Sequence, residues 1–427
     1  MINNVLKRFN WPELLKNSLI LITGTVVAQF IPILLQPFLR RIYTPEDFGV
    51  FAVYTSLLGI VVSVSTLRYE STVMLPRKDE DAANLVIISW GISFLMAVLT
   101  SLLFFFFGEH LLACFELNSH ALWLFYFLPA SIFFYSCYQS VNYYLIRKKA
   151  FKVSSINKVV RRGGEGIVQM SMGVNFRSVG LIFGAIIGDL MNFISGFFQL
   201  RRNGFQFEWV KKAKMVALLK RYKDFPIYNT LPALLNSMSL SLPVLMVSNF
   251  YGEKITGYLD LSRMVLALPL ALVSVSVSQV LFQYLSERIR ERKSIFGQIK
   301  KTAKFLGVIA VTMVLAGYFL SVPVFKLVFG DEWMLSGVMS QILVASYALK
   351  FLVSPLSITF NALEKIRMSS IWQFFYFISI LTLLFFKNLP VEEFLLYYLV
   401  IDLINYSVYF MLMLTQVRIY EKSLTSK

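Results

Sequence analysis

The sequence predicts an all-α polytopic membrane protein, with about twelve transmembrane helices at roughly 20 residues per span plus short loops. Three observations predict it. The 427 residues are 57% hydrophobic with a mean hydropathy of +0.65, too apolar for a soluble domain. Apolar runs of spanning length recur from one end of the chain to the other, separated by polar turns. Basic residues collect in alternate turns, the pattern that orients a multi-span protein. A formal charge of +17 in a soluble chain points to nucleic acid. Here its alternating distribution assigns it to membrane topology, and no nucleic-acid partner is expected.

Taken in order, the basic and apolar segment of residues 1–16 precedes a long apolar run without a small-residue cleavage site, so it reads as the approach to a retained first span. Spans are expected near 17–39, 47–75, 82–107, 121–146, 151–174, 178–200, 225–249, 255–285, 303–328, 335–360, 369–387 and 392–416. Arg77 with Lys78, Arg147 to Lys149, the run Arg201 to Lys223 and the run Arg288 to Lys304 fall in inner loops. The outer turns hold little beyond Arg40, Arg41, Arg177, Lys254, Lys326 and Lys387. Both termini are therefore expected on the cytoplasmic side, with the inner loops touching anionic headgroups.

The longest interruption divides the chain into a lobe at 1–200, a basic amphipathic linker at 201–224 expected to lie on the membrane, and a lobe at 225–427. Three short patterns recur in the same order in both lobes. Tyr43 and Gly49 match Tyr251 and Gly257; Ser154 and Ser155 entering span five match Ser369 and Ser370 entering span eleven; Asp189 and Asn192 match Asp402 and Asn405. Together they predict two six-helix lobes related by a parallel pseudo-two-fold repeat. Pro32 and Pro37 in span one, and Pro226, Pro232 and Pro243 in span seven, place helix breakers in corresponding segments.

Span five departs from its neighbours. Lys158, Arg161, Arg162 and Glu165 fall at i, i+3, i+4 and i+7, with Gln169 one further step along, so a helix carries them as one stripe. Each charge at a helix centre costs about 2.5 to 3.5 kcal/mol on an insertion scale, whereas each large apolar residue returns only about 0.3 to 0.6. Such a segment must turn its stripe toward protein or a water-filled cavity. Arg161 is expected to pair with Glu165, leaving positive charge over.

Further charges fall inside spans: Arg68 and Glu70, Asp189, Asp260 and Arg263, Lys350 and Asp402. On an ideal helix Arg68 and Glu70 point about 200° apart, so both face one chamber only if the helix is distorted. Asp260 and Arg263 are spaced to pair, and Asp189 and Asp402 read as contacts between helices. Lys350 has no acidic neighbour in its own span and is a cavity candidate. The substrate-binding candidates are Arg68, Lys158, Arg161, Arg162, Arg263 and Lys350, with Glu70 and Glu165 as candidate ion-coupling carboxylates. An excess of buried cations calls for an anionic substrate, and forked guanidinium donors suit phosphate.

No enzyme is expected. The two histidines, His110 and His120, share one short loop, and Cys114 and Cys137 match no metal spacing. There is no Gly-rich phosphate loop and no loop large enough for a nucleotide-binding domain, so no cofactor is expected and energy must come from a gradient or from substrate supply.

The run from Arg41 through Tyr43, Pro45, Asp47 and Gly49 to Phe51, the Arg68, Tyr69, Glu70 triplet, the Leu75, Pro76 turn, the Gly180 to Gly184 segment and the Phe329 to Trp333 segment resemble bacterial oligosaccharide flippases of the Wzx type. These belong to the superfamily that includes multidrug exporters and lipid II flippases. The resemblance covers nearly the whole chain. It implies a two-lobed twelve-helix flippase that moves undecaprenyl-diphosphate-linked repeat units between leaflets for O-antigen, capsule or a similar lipopolysaccharide or surface polysaccharide. It also implies a polysaccharide polymerase and a chain-length regulator as neighbours. Two readings compete: a multidrug or cation exporter of the same superfamily, and a non-transporting scaffold of a polysaccharide assembly complex.

Overall fold

A computed structural model describes residues 13–113 and 119–425, all of it helices and turns without a strand; Cys114 lies outside the described residues. Cys137 is free and buried, as a packing residue should be. The principal helices are α1 (Glu13–Ile42), α2 (Pro45–Val62), α3 (Asp79–Ala113), α4 (Leu128–Arg147), α5 (Phe151–Phe176), α6 (Ser178–Arg202), α7 (Asp224–Pro269), α8 (Val275–Arg290), α9 (Phe296–Phe329), α10 (Met334–Leu356), α11 (Ile366–Leu381) and α12 (Val391–Thr425). Among the described residues eight helical segments are long and apolar enough to cross a membrane, and one of these, Asp224–Arg290, runs through both α7 and α8. Helices α4 and α5 are not among the eight. Their polar content has a use described below.

The chain divides into two compact units, Met1–Ser237 and Met238–Lys427. In the first, α5 packs along α6 on one side and along α1 on the other. Glycines make this possible. Gly184 and Gly188 lie one turn apart on α6, and a Cβ on Gly188 would stand 2.9 Å from the Arg161 carbonyl oxygen of α5. A Cβ on Gly184 would stand 2.9 Å from the Glu165 carbonyl oxygen, so these two backbones meet without room for a methyl group. The opposite side of α5, with Ile167 71% exposed, is apolar and faces outward.

The segment 40–51 is a structural knot. Thr44 caps α2 and Asp47 returns the bond to the Thr44 backbone, a capping box with Pro45 in the first turn. Asp47 Oδ1 also accepts from the Ser178 backbone N–H at 2.8 Å, tying the start of α2 to the start of α6. Buried Arg40 lays its guanidinium 3.4 Å from the Phe48 ring centroid. Tyr43 donates its hydroxyl to the Gln169 carbonyl at 2.6 Å. Its repeat partner, Tyr251, donates to the Leu389 carbonyl at 2.7 Å in the second unit.

The basic segment after α6 packs on the first unit. A short helix, Lys212–Arg221, packs against the start of α3. Fully buried Asn84 donates to the Trp209 carbonyl at 2.8 Å and accepts from the Lys211 N–H at 3.0 Å. The hydroxyl of Tyr69 donates to the Leu219 carbonyl at 3.1 Å. Leu218 and Tyr222 enter a core with Tyr69, Val86 and Tyr144. The apolar stripe of the segment is thus buried against the first unit, and its cations are left on the outer side. Lys214 pairs with Glu80, and this hydrogen bond raises the lysine pKa. Arg147 and Lys148 both reach Asp79, at 3.0 and 2.5 Å, so this basic turn closes the α3–α4 end.

In the second unit, α7 breaks at Gly252 (φ 78°, ψ 177°), a backbone conformation that requires glycine, at the boundary expected between spans seven and eight. Helix α10 packs along α9 and along α12. This arrangement builds an enclosed charged centre in the second unit.

Candidate substrate cavity

A cavity of about 400 Å³ opens within the first unit. Its cationic wall is the α5 stripe, Lys158, Arg161 and Arg162. The stripe stays in place because the close α5–α6 contact fixes the rotation of α5, with Ile167 outward and the charges inward. Arg161 Nε donates to Asp189 Oδ1 at 2.5 Å, and its guanidinium carbon lies 4.8 Å from the Tyr135 ring centroid. Arg162 pairs with Glu165 at 2.9 Å. The expected pairing of Arg161 with Glu165 is therefore replaced by one partner from α6 and one step of i, i+3. Asp189 is 1% exposed, so a buried carboxylate holds Arg161 from behind while the rest of the guanidinium remains at the cavity. In this region of α5 and α6 three cations stand against two carboxylates, and the wall keeps a positive balance.

The facing wall was not singled out in the sequence. It is a neutral polar stripe on α4 that includes Tyr138, Gln139, Asn142 and Tyr143, joined by Asn192 of α6. The signal was present, because these α4 positions recur at i, i+1, i+4 and i+5 along one helix face. Uncharged residues in a span carry no desolvation cost large enough to mark them out in a sequence. They also explain why α4 is less apolar than α3 and α6.

The remaining candidates sit elsewhere. Between α2 and the short helix Tyr69–Thr72 the chain leaves helical geometry: Leu67 and Arg68 have φ of 48° and 63°. That break supplies the distortion needed to bring Arg68 and Glu70 together, with Nη1 and Oε1 3.4 Å apart. Glu70 is 2% exposed and also accepts from Thr66. Arg263 of α7 donates Nε to the Tyr347 hydroxyl at 3.3 Å and a terminal nitrogen to the Leu240 carbonyl at 2.6 Å. Lys350 does not line the cavity. It lies in the second unit, 2.5 Å from Asp402 Oδ2, ringed by Tyr347, Tyr398 and Tyr406. Asp402 accepts in addition from Ser346 and Tyr376, each at 2.8 Å. The two repeat-related aspartates thus each hold one cation, Arg161 in the first unit and Lys350 in the second. Among the described residues no His, Cys, Asp and Glu cluster is arranged to hold a metal.

A family model described as polysaccharide biosynthesis protein matches residues 38–337. The chain belongs to this polysaccharide biosynthesis protein family. The match starts beside the 40–51 knot, runs through α4 and α5, and includes every segment on which the resemblance to Wzx-type flippases rests. No curated protein sequence matches the chain. Solved structures share its fold. An inward-facing multidrug resistance MATE family transporter of the MOP superfamily has a TM-score of 0.77 at 13% identity, covering 93% of this chain and 99% of the other. Lipid II flippase MurJ in an inward closed conformation has a TM-score of 0.71 at 15% identity, covering 94% and 91%. A MOP superfamily transporter from Pyrococcus furiosus, described by the reversed polarity of its binding pocket, has a TM-score of 0.62 at 12% identity, covering 95% and 96%. This member of the polysaccharide biosynthesis protein family is an all-α, multi-pass membrane protein with the two-lobed fold of those transporters.

Proposed function

We propose that this member of the polysaccharide biosynthesis protein family is a flippase for undecaprenyl-diphosphate-linked oligosaccharide units. It carries them from the inner to the outer leaflet of a bacterial inner membrane with both termini cytoplasmic, and hands them to a polysaccharide polymerase. The observation that supports this reading is the composition of the first-unit cavity, with a cationic wall from α5 opposite a neutral wall of amide and phenol groups from α4. Arginine donates through five N–H groups in a planar fork, and Arg161 spends only Nε on Asp189, so its terminal nitrogens suit a diphosphate. Amides and tyrosines suit sugar hydroxyls, while the prenyl chain stays in lipid. Glu165, which holds Arg162 at the cavity wall, is the first candidate for coupling a cation to transport. Glu70 is the second candidate. A cationic drug fits less well, since it would be desolvated beside like charge.

The test is complementation of a host lacking its own flippase for the matching glycan, at equal membrane expression. Wild type should restore surface glycan, and Arg161→Ala and Arg162→Ala should each lose it. Full restoration by both substituted forms would mean that the stripe is structural.

A further inference from the structure

We infer that the second unit carries a resident-lipid site, a groove between α8 and α9 that takes a glycerophospholipid whose net charge is the single negative charge of its phosphate, with no headgroup ammonium to repel Lys301. The groove encloses about 490 Å³. From α8 it is lined by Val277, Val280, Leu281 and Tyr284, at i, i+3, i+4 and i+7, one face of the helix. From α9 it is lined by Gln298, Lys301, Thr302 and Phe305, at the same spacing. Each helix leaves the turn that joins them with its polar lining residues first. Tyr284, Gln298, Lys301 and Thr302 gather toward the turn, and Val277, Val280, Leu281 and Phe305 lie further along the helices. The groove is therefore amphipathic along its length, polar at the turn and apolar beyond it.

Two features identify the occupant. The apolar part is open, with Val280 71% and Phe305 59% exposed, a surface that fits an acyl chain. At the polar end the side chains of Gln298, Lys301 and Thr302 have no hydrogen-bond or ion-pair partner among the described residues. An ammonium, an amide and a hydroxyl thus line the same end of the groove as donors, a set that suits phosphate oxygens. The turn itself is held rigidly: Glu421 accepts from the N–H groups of Ile295 and Phe296 at 2.8 and 3.0 Å, and Arg288 donates to the Ser294 carbonyl at 3.1 Å. Lys293 is paired with Glu291. Lys301 is thus the groove's own cation, and one cation matches the single charge of a phosphodiester better than the several charges of a prenyl diphosphate. Basic residues on and beside the turn, Arg290, Arg292, Lys300 and Lys304, favour an anionic leaflet around it.

The experiment uses the full chain reconstituted in nanodiscs of equal parts phosphatidylglycerol and phosphatidylethanolamine, released into detergent and weighed with bound lipid by native mass spectrometry. Wild type should retain phosphatidylglycerol in at least several-fold excess over phosphatidylethanolamine. Lys301→Gln, an exposed change that leaves the turn intact, should abolish that preference, and Val280→Trp, which fills the groove, should reduce retention of both lipids. Equal retention of the two lipids by wild type, or an unchanged preference in Lys301→Gln, overturns the proposal. So does displacement of the retained lipid by added undecaprenyl diphosphate in equal amount, because the groove would then belong to the substrate. None of these readouts depends on transport, so they stand whether or not the flippase reading holds.

Discussion

Lys350 and Asp402 form an enclosed ion pair between α10 and α12, with Nζ and Oδ2 2.5 Å apart and side chains 6% and 0% exposed. Asp402 is further held by Ser346 and Tyr376, and Lys350 by three tyrosine faces. Attraction in a low-dielectric interior is offset by the cost of desolvating both groups, so the pair's main energetic signature is what happens when one member is removed. Asp402→Asn leaves an uncompensated ammonium and should cost about 3 to 5 kcal/mol. Lys350→Met combined with Asp402→Asn should recover most of that loss. Thermal unfolding of the purified variants in detergent checks both, and equal melting temperatures for the single and double variants would refute the coupling.

The contact of Gly188 with the Arg161 carbonyl oxygen fixes how closely α5 approaches α6. Gly188→Ala should push the helices apart, at about 1 to 3 kcal/mol. It should also move Arg161 relative to Asp189 and lower transport. Gly91→Ala is the control, because a Cβ there meets nothing within 4 Å. The comparison is of melting temperature and surface glycan for the two variants, and a Gly188→Ala protein indistinguishable from Gly91→Ala would contradict the packing account.

The fold was legible because it depends on quantities the sequence displays directly. Apolar run length, the alternation of basic turns and the charged stripe of span five each rest on a few kcal/mol per residue in lipid, which leaves little freedom for another arrangement. The stripe at Lys158, Arg161 and Arg162 does line a cavity. The sequence marks Asp189 and Asp402 as contacts between helices, and it does not display which cations they meet. Asp189 lies 28 positions from Arg161, and Asp402 lies 52 from Lys350. Pattern reading within one helix favoured Glu165 for the first and no partner for the second. Uncharged polar residues such as Gln139 and Asn142 were missed for a related reason, since a helix tolerates them whether they face a cavity or a neighbour.

The docked segment after α6 gives a test outside the membrane. Asn84→Ala removes two hydrogen bonds that hold Trp209 and Lys211, at about 1 to 3 kcal/mol for buried groups left unpaired. Limited trypsin digestion of membranes should then cut between Arg201 and Lys223 faster than in wild type. Glu80→Gln, which removes only an exposed pair with Lys214, should leave the digestion rate nearly unchanged. Equal protection in the wild-type and Asn84→Ala proteins would show that the segment is held by other contacts.

The central claim is that the first-unit cavity binds its ligand through a diphosphate. Binding of a short prenyl diphosphate and of the corresponding prenyl alcohol to the purified protein, by isothermal titration at fixed salt, tests it most directly. Charge-assisted hydrogen bonds to phosphate contribute about 1.5 to 3 kcal/mol each, so the diphosphate should bind at least tenfold more tightly than the alcohol. Lys158→Gln combined with Arg162→Gln should remove most of that margin while leaving the alcohol's weak affinity unchanged. Equal affinity of wild type for both ligands, or a margin untouched by the double substitution, would contradict the claim.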